Sequence, residues 1–120
     1  MNIIFGRVVY GKQLGRTLGF PTANVEPDTP FTGEKGVYAA DTEIDGMPGI
    51  FRAMVNIGSH PTFPEGAPTI EAHIFDFSAD IYGKNVVLRL LRFLRPEQKF
   101  PSAEAFLTQL RADEKEARNG

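Results

Sequence analysis

Through the first three-quarters of the chain, apolar and polar residues alternate with a period of two, the pattern of strands with one buried face. "NIIFGRVVYG" (2–11), rich in β-branched and aromatic residues, is the first such segment. "GVYAADTEI" (36–44) and "GIFRAMVNIG" (49–58) flank Asp45-Gly46, a dipeptide suited to a tight hairpin because both positions tolerate positive φ. "TIEAHIFDF" (69–77) and "NVVLRLLRFLR" (85–95) are joined by "SADIYGK", in which Gly83 suits a left-handed turn. The period changes only at the end. From Ser102, placed to be an N-cap, to about Arg118, a helix is predicted with Ala103, Phe106, Leu107 and Leu110 on one stripe. Five or six strands followed by one helix, without βαβ alternation, predict an all-β closed antiparallel barrel with a terminal helix packed on it, and disfavour a doubly wound dinucleotide fold. Residues 11–35 and 58–69 carry no clear period, and connections of that length in a compact domain are usually functional or disordered.

Composition narrows this picture. With 120 residues the chain can bury one core and not two, so a single domain over residues 1–120 is predicted. Apolar runs stop well short of the ~20 residues a membrane helix requires, and no secretory leader is visible, so no membrane partner is expected. The absence of cysteine removes disulfides and thiolate chemistry and fits a cytoplasmic protein. Two histidines, His60 and His73, are too few for a histidine-built metal cage. A formal net charge of −2 argues against nucleic acid as a partner, so a phosphate-bearing ligand must be held by local geometry and a cation.

Three places carry candidate chemistry. "GRVVYGK" (6–12) nearly matches the P-loop spacing, but Gln13 stands where Ser or Thr should bind magnesium, and the intervening residues are strand formers. A strand with a following turn is the better reading. In "YGKQLGRTLGFPTANV" (10–25), Gly11, Gly15 and Gly19 let backbone amides approach a ligand, Pro21 stiffens the exit, and Lys12 and Arg16 bring positive charge. If residues 22–24 are extended, alternation puts the Thr22 hydroxyl and the Asn24 amide on one face, as neutral oxygens suited to magnesium bound mainly through a nucleotide. On chemistry alone the stretch serves equally as such a cradle or as an ordinary connection, because Thr and Asn also satisfy turn amides. In "TIEAHIFDF", Glu71, His73 and Phe75 share one face. Glu71 either faces solvent, as carboxylates usually do, or sits partly enclosed, where desolvation would raise its pKa and suit it to accept a proton from a hydroxyl. His73 reads as structural or orienting. Arg95 and Phe100 in "RFLRPEQKF" (92–100) could wall a flat heterocycle, though an Arg at a strand end is usually solvated.

Four stretches taken together resemble one family. In order and spacing, "GRVVYGKQLGRTLGFPTANV", "GVYAA", "NIGSHPTF" and "IEAHIFDFSADIYGKNVVLRLLRFLRPEQKF" are similar to the riboflavin kinase family, including the C-terminal kinase module of bacterial bifunctional riboflavin kinase/FAD synthetases. The likeness runs from about Phe5 to near residue 118. It implies a six-stranded Greek-key barrel with a C-terminal helix that transfers the γ-phosphoryl group of ATP, with Mg²⁺, to the riboflavin 5′-hydroxyl to give FMN and ADP. Carried over residue by residue, it implies that Thr22 and Asn24 contact magnesium and phosphate, with Gly11 and Arg16 around the nucleotide. It implies Glu71 as catalytic base, Ile74, Asp76 and Tyr82 bordering the nucleotide, and Arg95 and Phe100 on the flavin side. No preceding nucleotidyltransferase pattern is present, so FMN formation without FAD formation is expected, from a chain that is a single-domain kinase or is linked in nature to an FMN adenylyltransferase domain. The alternative is a flavin-binding or sensing barrel without catalysis, which would be expected to have lost Thr22, Asn24 or Glu71.

Overall fold

A computed structural model of the chain describes residues 2–9, 22–59 and 67–119. Six strands close a barrel: β1 (Asn2–Val9), β2 (Ala23–Pro27), β3 (Gly36–Ile44), β4 (Met47–Gly58), β5 (Thr69–Ile74) and β6 (Asn85–Pro96). They are followed by one helix, α1 (Ala103–Arg118). Round the barrel the order is β1-β2-β5-β4-β3-β6, every pair antiparallel. Strands β3, β4 and β5 are sequential neighbours and β6 returns beside β3, which is a Greek key.

The inward positions follow the predicted alternation. Ile70, Ala72 and Ile74 of β5 join Val25, Ala40, Val55, Ile57 and Leu88 in the barrel interior, and Val55, Ile57 and Leu88 are fully enclosed. Each of the valine, leucine and isoleucine side chains stabilises the fold by about 1.5–3 kcal/mol relative to exposure. A second cluster on the outer face joins Val37, Ala39, Met54 and Phe75 to Leu110 and Ala117 of α1. Helix cover over β3 and β4 buries both strand faces, which is why "GVYAA" and "AMV" run apolar without alternation.

Ser102 caps α1, its Oγ accepting from the Ala105 N–H at 3.1 Å. Leu110 is buried and Phe106 and Leu107 are half-buried on the barrel, but Ala103 is exposed, so the packed stripe begins a turn later than predicted. At the other end, Arg52 donates to the Ala117 carbonyl at 2.9 Å and Arg92 to that of Glu116 at 2.7 Å. Cations from the barrel thus satisfy carbonyls that a helix C-terminus leaves open.

The register Ile44↔Met47 encloses Asp45-Gly46 in a two-residue turn, with left-handed backbone only at Gly46 (φ 81°). Gly83 is also left-handed (φ 82°), as predicted. Strand β2, inside a stretch without period, pairs β1 and β5 and thereby closes the barrel. A Cβ at Gly36 (φ 152°) would lie 2.3 Å from the Arg95 carbonyl oxygen and 2.6 Å from the Phe93 ring, where β3 meets β6. Gly36→Ala should therefore cost about 1–3 kcal/mol. The check is a lower urea midpoint at unchanged m-value; an unaltered midpoint would show that the junction yields freely.

Candidate active site

Strand pairing brings distant polar residues into one row. Asn24 of β2 lies opposite Glu71 of β5, and Glu71 opposite Asn56 of β4. Directly opposed residues in an antiparallel pair hold their Cβ atoms about 4.5–5.5 Å apart. Since Val25, Ala72 and Ile57 point inward, Asn24, Glu71 and Asn56 all face outward. All three are half-buried, and the next residue of the row, Val37, is enclosed beneath α1. Glu71 has no hydrogen bond or ion pair among the described residues. Burial pushes its carboxyl above the ordinary carboxylate value.

Beside the row, at the ends of β1, β2 and β5, opens a cavity of about 560 Å³. Thr22, Asn24, Ala72, Ile74, Ile81 and Tyr82 are among its walls. Here Thr22 Oγ1 is buried and has no hydrogen-bond partner among the described residues. A buried hydroxyl left open in this way costs free energy unless a ligand completes it. Tyr82 sits on a turn tied to β1: Gly83 N–H donates to the Val8 carbonyl at 2.9 Å, and Val8 N–H to that of Lys84 at 3.0 Å. Tyr82 N–H also donates to Asp80 Oδ1 at 3.0 Å. The Tyr82 wall of the cavity is therefore tied to β1 by backbone bonds.

The remaining site residues fall elsewhere. Gly11 and Arg16 lie outside the described residues. Asp76 does not line the cavity. It follows the end of β5 in a left-handed conformation (φ 56°) and accepts from Arg118 at 3.0 and 3.3 Å. That guanidinium holds the Asp76 carboxyl below its ordinary value. Arg95 and Phe100 do meet, the guanidinium carbon 5.5 Å from the ring centroid. Arg95 is also bound to Asp113 of α1, with Nε 3.0 Å from both carboxylate oxygens and Nη2 2.8 Å from Oδ2. Its side chain is 15% exposed and that of Asp113 only 4%. His73 packs edge-on against Phe75 and lies 3.9 Å from Glu114 of α1, in keeping with a structural role.

Sequence reasoning passed over two features. One is Asn56, whose signal was a polar, strand-disfavoured residue set in "AMVNIG". The other is a clasp between the ends of β4 and β6. Glu97 accepts from the Ser59 N–H at 2.9 Å and the Ser59 hydroxyl at 3.0 Å, and Lys35 donates to the same hydroxyl at 3.2 Å. The Ser59 N–H, with help from its hydroxyl and from Lys35 and Lys99, holds the Glu97 carboxyl below its ordinary value.

Among the described residues no group of acidic, histidine or cysteine side chains could by itself hold a metal. No helix among them is long and apolar enough to cross a membrane. Fold and site together define a small ligand-binding barrel, with a carboxylate on one sheet face and an open hydroxyl at the adjoining strand ends.

The flavokinase (riboflavin kinase) family model matches residues 2–120, and the chain belongs to that family. Among curated proteins it is 41% identical, over 92% of its length, to the bifunctional riboflavin kinase/FMN adenylyltransferase of Haemophilus influenzae. It is 40% identical, over 96% of its length, to the protein of that name from Escherichia coli K12. It spans 35% and 36% of those two relatives. Riboflavin kinase from Trypanosoma brucei shares the fold with a TM-score of 0.66 at 25% identity, over 98% of this chain and 77% of that one. A macrolide-efflux protein from Streptococcus pneumoniae superimposes with a TM-score of 0.88 at 39% identity, over 98% of this chain and 38% of that one.

Proposed function

We propose that the chain is an ATP:riboflavin 5′-phosphotransferase that converts riboflavin and MgATP to FMN and ADP. The observation that carries this reading is the register Asn24↔Glu71, which sets a partly desolvated carboxylate, unpaired among the described residues, opposite a wall residue of the cavity that also takes in the Thr22 hydroxyl. Family membership and the relatives' names supply the substrate class.

In this mechanism the nucleotide occupies the cavity, with its base end toward Ile74 and Tyr82 and its phosphates toward Thr22 and Asn24. Gly11 and Arg16 belong to the same half of the site, whereas Asp76, held by Arg118, stands outside the cavity and takes no direct part. The riboflavin 5′-hydroxyl lies at Glu71, with the ring on the side of Arg95 and Phe100. The hydroxyl oxygen bonds to the γ-phosphorus as the bond from that phosphorus to the bridging oxygen breaks, releasing ADP. Phosphoryl transfer has a loose transition state, so positioning and charge stabilisation do most of the work. Glu71 first orients the hydroxyl and accepts its proton late. A carboxyl whose pKa is raised toward the working pH suits that role. Thr22 Oγ1 and the Asn24 carboxamide oxygen suit a hard cation, and Mg²⁺ held there with the phosphates would neutralise charge on the transferred group.

Incubating the pure chain with riboflavin and MgATP, and separately MgCTP, should give FMN and a matching amount of nucleoside diphosphate on chromatography from the ATP sample. Unchanged riboflavin after prolonged incubation with MgATP would refute the assignment.

A further inference from the structure

Glu71 has a carboxamide residue on each side, and the kinase reading gives a role to Asn24 alone. Asn24 lines the cavity, whereas Asn56 stands on β4, on the other side of Glu71 from Asn24. Asn56 is half-buried in mid-strand, and its side chain has no hydrogen bond among the described residues. Asn is disfavoured in strands, and a carboxamide offers two donors and an acceptor that go unused here. Beyond it the row closes under the helix at Val37. The polar floor around Glu71 therefore has two ends, a phosphate end at Asn24 and a second end at Asn56.

Resting on the kinase reading, we propose that Asn56 binds the acceptor, hydrogen-bonding the ribityl hydroxyl next to the one that is phosphorylated. Its Cβ lies about one cross-strand step, some 5 Å, from that of Glu71. A hydroxyl vicinal to one held at Glu71 falls within reach of the amide from there. The amide can donate to and accept from a hydroxyl, so it suits a polyol chain and would discriminate against acceptors with a single terminal alcohol. This residue would then select a polyhydroxylated alcohol and set the reacting hydroxyl in line.

The test is a cycle between side chain and substrate. The parent chain and Asn56→Ala are each measured with riboflavin and with a riboflavin whose vicinal hydroxyl is replaced by hydrogen. Flavin binding is read by fluorescence quenching, and FMN formation by chromatography. Removing either partner should weaken binding or turnover roughly tenfold, and removing the second should add little. Losses that multiply would overturn the contact, as would an Asn56→Ala chain that handles riboflavin like the parent. Binding needs no turnover, so a parent that binds flavin but makes no FMN would refute the kinase reading while the cycle still decides the contact. A parent that does not bind riboflavin refutes both. Asn56→Ala should unfold at the parent's temperature, because the amide has no partner to lose among the described residues; a large drop would mark a structural role and overturn the proposal.

Discussion

Glu71→Gln should lower FMN formation by about 10²–10⁴-fold, the range typical of a lost general base, while making the fold more stable at neutral pH. The two effects share a cause. Burial raises the Glu71 carboxyl above its ordinary value, so between the unfolded and folded values the folded chain holds a proton that the unfolded chain has released. Below the ordinary value both states are protonated and nothing is lost. As pH rises through that window stability falls, and above it the full cost of a desolvated carboxylate remains. Glutamine carries no such charge. Thermal unfolding of parent and variant should therefore converge at acid pH and separate at neutral pH, with the variant higher. For the parent, kcat/KM should fall as pH drops through the raised value, an acidic limb lying above that of an ordinary glutamate. A variant that is inactive and also less stable at neutral pH would show Glu71 to be structural.

Asp113→Ala should cost about 3–5 kcal/mol, because it strands the Arg95 guanidinium where it is only 15% exposed. For a chain of this size that is a fall of roughly 10–20 °C in Tm. Arg95 would also lose the partner that aims it, since Asp113 contacts it three times and itself accepts from Gln109 at 2.9 Å. Flavin binding should thus weaken with Asp113→Ala even though Asp113 is 4% exposed and out of contact with solvent-borne ligands. Arg95→Met with Asp113→Leu should recover much of the stability, since an apolar pair replaces two buried charges, and should recover no flavin binding. Recovery of both would show that Arg95 serves only to dock α1. An Asp113→Ala chain as stable as the parent would mean that the ion pair is solvated in solution.

The barrel was largely legible because its signals are local. Alternation marks inward and outward residues within each long strand, and Ser102 together with Phe106, Leu107 and Leu110 marks the helix. Strand β2 was not legible in the same way. Five residues ending in Pro27 are too few to display a period, and what makes them a strand is pairing with β1 and β5. Register is the general limit. Nothing near Glu71 states that Asn24 and Asn56 flank it, since those neighbours arrive from other parts of the chain once the inward faces are aligned. Asp76 shows the complementary case. Strand alternation continues to Phe77 in the sequence, but β5 ends at Ile74, and the left-handed backbone at Asp76 turns its carboxylate to Arg118, away from the cavity. Arg95 could be read as a stacking wall, and its contact with Phe100 agrees, but its bond to Asp113 depends on how α1 folds back. Gly11 and Arg16 lie in the glycine-spaced stretch outside the described residues, so their part in the site rests on the resemblance.

The most direct measurement follows the phosphorus itself. Parent and Glu71→Gln chains are given riboflavin and γ-labelled MgATP side by side, with flavin binding monitored in both. If Glu71 is the base of a phosphoryl transfer to riboflavin, label should enter FMN from the parent, in step with ADP, and almost none from the variant although it still binds flavin. Equal labelling of FMN by the two chains, or label appearing only as inorganic phosphate, would contradict that role.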